Sequence, residues 1–159
     1  MSHALADLLR TTLATELPHL SAVSEAVASV KPAGPDSWSP KQELGHLIDS
    51  AANNHLRFVG AALQPEFTGS PYDQDGWVNL HGYQERSWTS TVFLWHTWNV
   101  FLADLIARIP EEKLQTTCTI GSSQPCTLRF LIQDYVLHMQ HHIDHLLHRA
   151  AVTQYPAAA

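Results

Sequence analysis

His138-Met139-Gln140-His141-His142-Ile143-Asp144-His145 places four of the chain's eleven histidines within eight residues. The residues before it run Leu128-Arg129-Phe130-Leu131-Ile132-Gln133-Asp134-Tyr135-Val136-Leu137, and those after it Leu146-Leu147-His148-Arg149-Ala150-Ala151. Together they read as one amphipathic helix capped by Thr127 and extending to about Ala151. At about 100° per residue, Leu131, Tyr135, Met139, Ile143 and Leu146 form one apolar arc. Residues four apart on a helix lie one above the other. His138 and His142 therefore share a direction, and so do His141 and His145. The first pair sits at the edge of the apolar arc and the second lies toward the polar face. Two imidazoles at that spacing can converge on one transition metal at about 2 Å from each. A partly desolvated imidazole also tends to stay neutral, as a metal requires. His138 and His142 are thus the candidate inward pair. A solvated, pH-sensitive histidine surface is the competing reading.

Three further helical stretches lie upstream. The first spans about Ala4 to Val30, with Leu5, Leu9, Leu13, Leu17 and Leu20 on its apolar positions and Pro18 as a point of kinking or division. Lys31 to Trp38 is a connection. The second helix opens with a capping box, with Ser39 at the N-cap, Pro40 in the first helical position and Gln42 reaching back. Its apolar face reads Leu44, Leu47, Ile48, Ala51, Ala52, Leu56 and Val59. The third runs from about Ser87 to Ile109. Between the second and third, Gln64 to Glu85 shows little helical pattern and reads as a long aromatic-rich loop, a class that is often functional. Strand signal is confined to Thr116–Thr119. The expected fold is all-α, an antiparallel up-and-down four-helix bundle forming a single domain over residues 1–159. Such bundles commonly build metal sites from facing helices.

Composition excludes other classes. The formal net charge is −6 and only 15% of residues are charged. The Lys and Arg residues form no cluster, which argues against nucleic-acid binding. No run reaches the roughly 18 apolar residues of a membrane helix. The N-terminal residues lack a signal-peptide pattern, so the expected compartment is the cytoplasm. Cys118 and Cys126 lack zinc or redox spacing and read as two inert thiols.

A third ligand must come from another helix. His46, between Leu44 and Leu47, is the best partner, and His96 in the third helix is its rival. A di-iron site needs Glu-x-x-His pairs, and the fourth helix has no Glu. Haem attachment lacks its Cys-x-x-Cys-His motif. Asp49, three residues after His46, is the candidate carboxylate for orienting a ligand imidazole through its free nitrogen. Asp134, one turn before His138, is a second candidate. Tyr72, Trp77 and Asn53 are candidates for the substrate mouth, and His141 and His145 for proton transfer or plain surface roles.

The pattern Trp38-Ser39-Pro40-Lys41-Gln42, Gly45-His46-Leu47-Ile48-Asp49-Ser50 and Asn53-Asn54-His55-Leu56-Arg57-Phe58 resembles the second helix of the DinB-like superfamily, closest to its YfiT-like branch. Pro71-Tyr72-Asp73-Gln74-Asp75-Gly76-Trp77 is similar to that branch's loop. His138, His141, His142 and His145 match its H-x-x-H-H-x-x-H fourth helix. The resemblance implies one divalent metal ion, nickel or zinc, held by His46, His138 and His142. It implies a metal-dependent enzyme, either an S-transferase using a low-molecular-weight thiol or a hydrolase, acting on a small molecule as a homodimer. The alternatives are a non-catalytic metal-binding, stress-related bundle and an interaction bundle whose histidines are only a pH-sensitive surface.

Overall fold

The computed structural model describes residues 1–34, 37–151 and 155. Helix α1 spans Ser2–Ala22 and α2 spans Glu25–Ala28, followed by α3 at Pro40–Leu63, strand β1 at Glu66–Gly69 and α4 at Gln74–His81. Then come α5 at Trp88–Ala107, β2 at Thr117–Ile120, β3 at Cys126–Thr127 and α6 at Leu128–Leu146.

Local chemistry sets most of these boundaries. Ser39 Oγ accepts from Gln42 N at 3.3 Å while Gln42 Oε1 accepts from Ser39 N at 3.2 Å, so the expected capping box forms. Ser87 and Thr127 cap α5 and α6 by accepting from the amides of Ser90 and Phe130. Pro18 lies inside α1 without ending it. The break falls instead at Val23–Ser24, where Ser24 caps the short α2. The last helix stops at Leu146, short of the expected Ala151. Part of the tail, 152–154, lies outside the described residues.

The core is built from one face of each long helix. Leu9, Leu13, Leu44, Leu47, Phe58, Trp95, Leu102, Ile132 and Met139 are all essentially inaccessible. Each such aliphatic or aromatic side chain contributes roughly 1.5–3 kcal/mol relative to exposure. Tyr135 donates its hydroxyl to Asn99 Oδ1 within this core, so neither polar group is left unpaired.

The four-helix bundle is present, with helix directions of up, down, down, up in place of the expected strict alternation. Arg10 of α1 meets Asp104 of α5 at 2.7 Å, and Ser2 Oγ donates to Ile109 O at 2.7 Å, so these helices are antiparallel. Thr12 and Gln140 pair at 3.1 Å, and Glu16 pairs with Arg149 at 2.7 Å, so α1 and α6 run together. Glu43 meets His145, and Phe58 packs on Tyr135 at 5.9 Å, so α3 and α6 are antiparallel. Leu63 at the end of α3 lines one groove with Leu105 and Arg108 at the end of α5, so α3 and α5 are parallel.

A parallel pair needs a crossover, and the segment expected as loop, 64–85, provides it. It contains β1, α4 and a 3-10 turn at Tyr83–Glu85. Two glycines of α3 let it lie close. A Cβ on Gly45 would fall 2.2 Å from the Tyr83 ring, and one on Gly60 would fall 2.4 Å from the Phe67 ring. Strand β1 pairs parallel with β2, and β2 pairs antiparallel with β3, with Cys118 opposite Cys126. Both cysteines are free thiols. No helix is long and apolar enough to cross a membrane among the described residues.

Candidate metal centre

The antiparallel packing of α3 and α6 brings the first half of one helix against the second half of the other. His46 thereby meets His138 and His142, which lie one turn apart on α6. His46 Nε2 and His138 Nε2 are 3.2 Å apart. One ligand nitrogen from each of the three rings falls within 4.8 Å of the others. His46 is fully buried, and the other two are half-buried. His96 sits on α5 with its ring 6.4 Å from that of Trp95, away from this group.

Burial is the main force on the protonation of these rings. It drives His46 down to about 4, with the neighbouring His142 adding to the shift and Glu43 opposing it. It drives His138 down to about 3, helped by His142, His46 and His141. Both rings are therefore neutral at physiological pH and keep a lone pair available for donation.

The residues fit a divalent ion. With metal–nitrogen distances of about 2.0–2.1 Å, a tetrahedral site has nitrogens about 3.3–3.4 Å apart along each edge. The 3.2 Å between the His46 and His138 nitrogens is close to that value. His142 Nδ1 donates to Glu43 Oε1 at 2.8 Å. An ionised carboxylate only accepts, so the Glu43 bond places a proton on Nδ1 and leaves Nε2 as the His142 nitrogen that can offer a lone pair to a metal. Carboxylate–histidine pairs of this kind fix the tautomer of a ligating imidazole.

Glu43 was not singled out from sequence. It is buried, one turn before His46, and also accepts from His145 Nδ1 at 2.8 Å. Burial alone would raise its carboxyl, but the hydrogen bonds from His142 and His145 hold it below its ordinary value. A carboxylate three residues before a candidate ligand was the available signal. Asp49 lies elsewhere. Its Oδ1 accepts from His81 Nδ1 at 2.8 Å and from the Tyr83 hydroxyl at 2.7 Å. It makes no hydrogen bond to the three histidines among the described residues. Asp49 Oδ2 and His46 Nδ1 are both buried and without a hydrogen-bond partner there.

Aromatic rings flank the triad. Trp38 packs on His46 at 5.2 Å, and Tyr155 packs on His138 at 5.5 Å and on His141 at 5.4 Å. Of the expected mouth residues, Tyr72 shares a cleft with His138, whereas Trp77 and Asn53 line the neighbouring groove. Asp134 lines the His138 cleft and bonds to none of the ligand rings. His145 is exposed apart from its bond to Glu43.

The pattern of one protein family matches residues 8–146, nearly the whole chain. The chain belongs to the DinB superfamily. Among the DinB chain's curated relatives, a Bacillus cereus (strain ATCC 10987 / NRS 248) protein named "Putative metal-dependent hydrolase" is 26% identical over 109 residues, covering 69% of this chain and 62% of that protein. A Bacillus anthracis (strain CDC 684 / NRRL 3495) protein of the same name matches at 26% over 109 residues, with the same coverage. The match thus spans less than two thirds of those relatives' length. Among solved structures, YfiT from Bacillus subtilis, described as a probable metal-dependent hydrolase with an unusual four-helix bundle topology, superposes with a TM-score of 0.80 at 19% identity, covering 92% of this chain and 84% of that one. A mycothiol-dependent maleylpyruvate isomerase superposes with a TM-score of 0.75 at 13% identity, covering 97% of this chain and 62% of that one. At those identities the likeness is one of fold, and it places this DinB protein with YfiT-like bundles.

Proposed function

We propose that His46, His138 and His142 hold one divalent metal ion, nickel or zinc, and that the protein is a metal-dependent enzyme acting on a small molecule. The observation that carries this reading is the convergence of three imidazole nitrogens within 4.8 Å, with His138 facing a cleft. Bound there, the ion supplies Lewis acidity that makes a thiol or a water nucleophilic near neutral pH.

The chain's own residues do the rest. Glu43 holds the His142 ring in the tautomer that presents Nε2. Trp38 and Tyr155 cover the rings of His46 and His138 and limit their hydration. Three protein ligands leave coordination positions for a substrate, the arrangement of catalytic sites as opposed to closed structural ones. Transfer of a low-molecular-weight thiol to a small electrophile is the leading reaction, supported by the thiol-dependent enzyme of like fold. Hydrolysis, supported by the relatives' names, is the other. A homodimer belongs to the same reading. Leu56 and Leu63 of α3 and Phe93 and Phe101 of α5 are exposed apolar side chains, which supports burial of apolar surface against a partner copy.

Elemental analysis of tag-free protein tests the centre. One metal per chain is expected in the wild type and in the His141→Ala/His145→Ala double variant. His46→Ala, His138→Ala and His142→Ala each lose it. Metal retained without His46 would sink the proposal.

A further inference from the structure

A cleft of about 200 Å³ opens against His138 between α3, α6 and the crossover. This is below the roughly 300–1,000 Å³ of drug-sized sites, so its occupant is small. Two side chains of opposite charge line it, Arg57 from α3 and Asp134 from α6. Arg57 Nη2 donates to Ser70 O at 3.3 Å and meets no carboxylate among the described residues. Asp134 likewise meets no cation there. Burial destabilises both charges, lowering the Arg57 guanidinium and raising the Asp134 carboxyl. Half-buried opposite charges in one cleft ordinarily relieve that cost by pairing. Here the two helices hold them apart.

Their order along the cleft follows from the helix directions. Asp134 lies one turn from His138, about 6 Å along α6 at 1.5 Å per residue. Arg57 lies eleven residues beyond His46, about 16 Å along α3. Because α3 and α6 are antiparallel, both displacements point the same way. The cleft therefore runs from the histidine triad past Asp134 to Arg57.

We infer that the cleft selects a small zwitterion, with its ammonium against Asp134, its carboxylate against Arg57 and its nucleophilic end toward His138. The carboxylate takes charge-assisted hydrogen bonds from the guanidinium, whose planar fork suits it. The orientation toward His138 rests on the proposed metal centre. The charge preference does not.

Calorimetry on the full chain, metal-free and with one equivalent of zinc, tests this with four thiols of nearly one size. They are cysteinylglycine, its C-terminal amide, 3-mercaptopropionylglycine and its C-terminal amide, which carry both charges, the ammonium alone, the carboxylate alone and neither. Cysteinylglycine should bind best, each lost charge weakening binding by roughly tenfold, about 1.4 kcal/mol. Arg57→Gln should abolish the advantage of the carboxylate, and Asp134→Asn that of the ammonium, with melting temperatures no lower than that of the wild type. Four equal affinities in the zinc protein would overturn the inference while leaving the metal centre standing. A charge preference in the metal-free chain to which zinc adds nothing would uphold it and count against the metal centre. Failure of every probe to bind either form would overturn it.

Discussion

Glu43 Oε1 accepts a hydrogen bond from His142 Nδ1 at 2.8 Å and another from His145 Nδ1 at the same distance. One buried carboxylate thus ties the outermost ring of the triad to a surface histidine. Glu43→Gln removes the charge and one acceptor while keeping the shape. It should weaken metal binding by roughly 10–100-fold, the usual effect of losing such a partner. Competition against a chelator measures it. Unchanged affinity would show that the His142 ring needs no carboxylate.

The two buried histidines make the metal-free chain acid-sensitive. Unfolded, each titrates near 6.5; folded, His46 is held at about 4 and His138 at about 3. The unfolded state therefore binds more protons as pH falls below about 6.5, and stability drops until the folded values are passed. The slope should reach about 1.4 kcal/mol per pH unit for each histidine. Urea unfolding at a series of pH values, wild type beside His46→Gln/His138→Gln, checks it. The variant should lose less stability between pH 6.5 and 4. Parallel curves would mean that the rings are not desolvated.

Metal addition should stabilise the fold, because the triad joins α3 to α6 and exists only in the folded state. At a free concentration 100 times the dissociation constant, linkage gives about 2.7 kcal/mol. For a chain of this size that is a rise of roughly 5–10 °C in Tm. A thermal shift with nickel or zinc, absent in His142→Ala, is the expected result.

Gly45 sits in the second turn of α3, beneath the Tyr83 ring. By helix propensity alone, Gly45→Ala would stabilise by about 1 kcal/mol. The Cβ, however, would fall 2.2 Å from the Tyr83 ring. Overpacking of that kind typically costs about 1–3 kcal/mol. The net change should be destabilising, and Tyr83→Ala in the same chain should recover part of it. A stabilised Gly45→Ala single variant would show that the crossover is free to move off α3.

The parts legible in the sequence were those governed by neighbouring residues. Ser39, Pro40 and Gln42 announce the start of α3 because capping is a three-residue event. The pairing of His138 with His142 follows from the helical period alone. Strand β1 was not legible. Glu66–Gly69 is four residues long, and its partner Thr117–Ile120 lies some fifty residues away. The short α4 was hidden because Gly76 and Asp75 break the apolar pattern, although Asp73 does cap it.

The chain by itself determined four long amphipathic helices, their caps, and a face of α6 carrying two stacked imidazoles. These rest on local dihedral preference and periodicity. Only the tertiary structure decided that α3 runs parallel to α5 and antiparallel to α6, because that depends on where the crossover packs. The same packing chose His46 over His96, put Glu43 on His142, and sent Asp49 to His81 and Tyr83. Residues distant in sequence meet only after the core has fixed the helix directions, and no pattern within a single helix records which faces will be opposed.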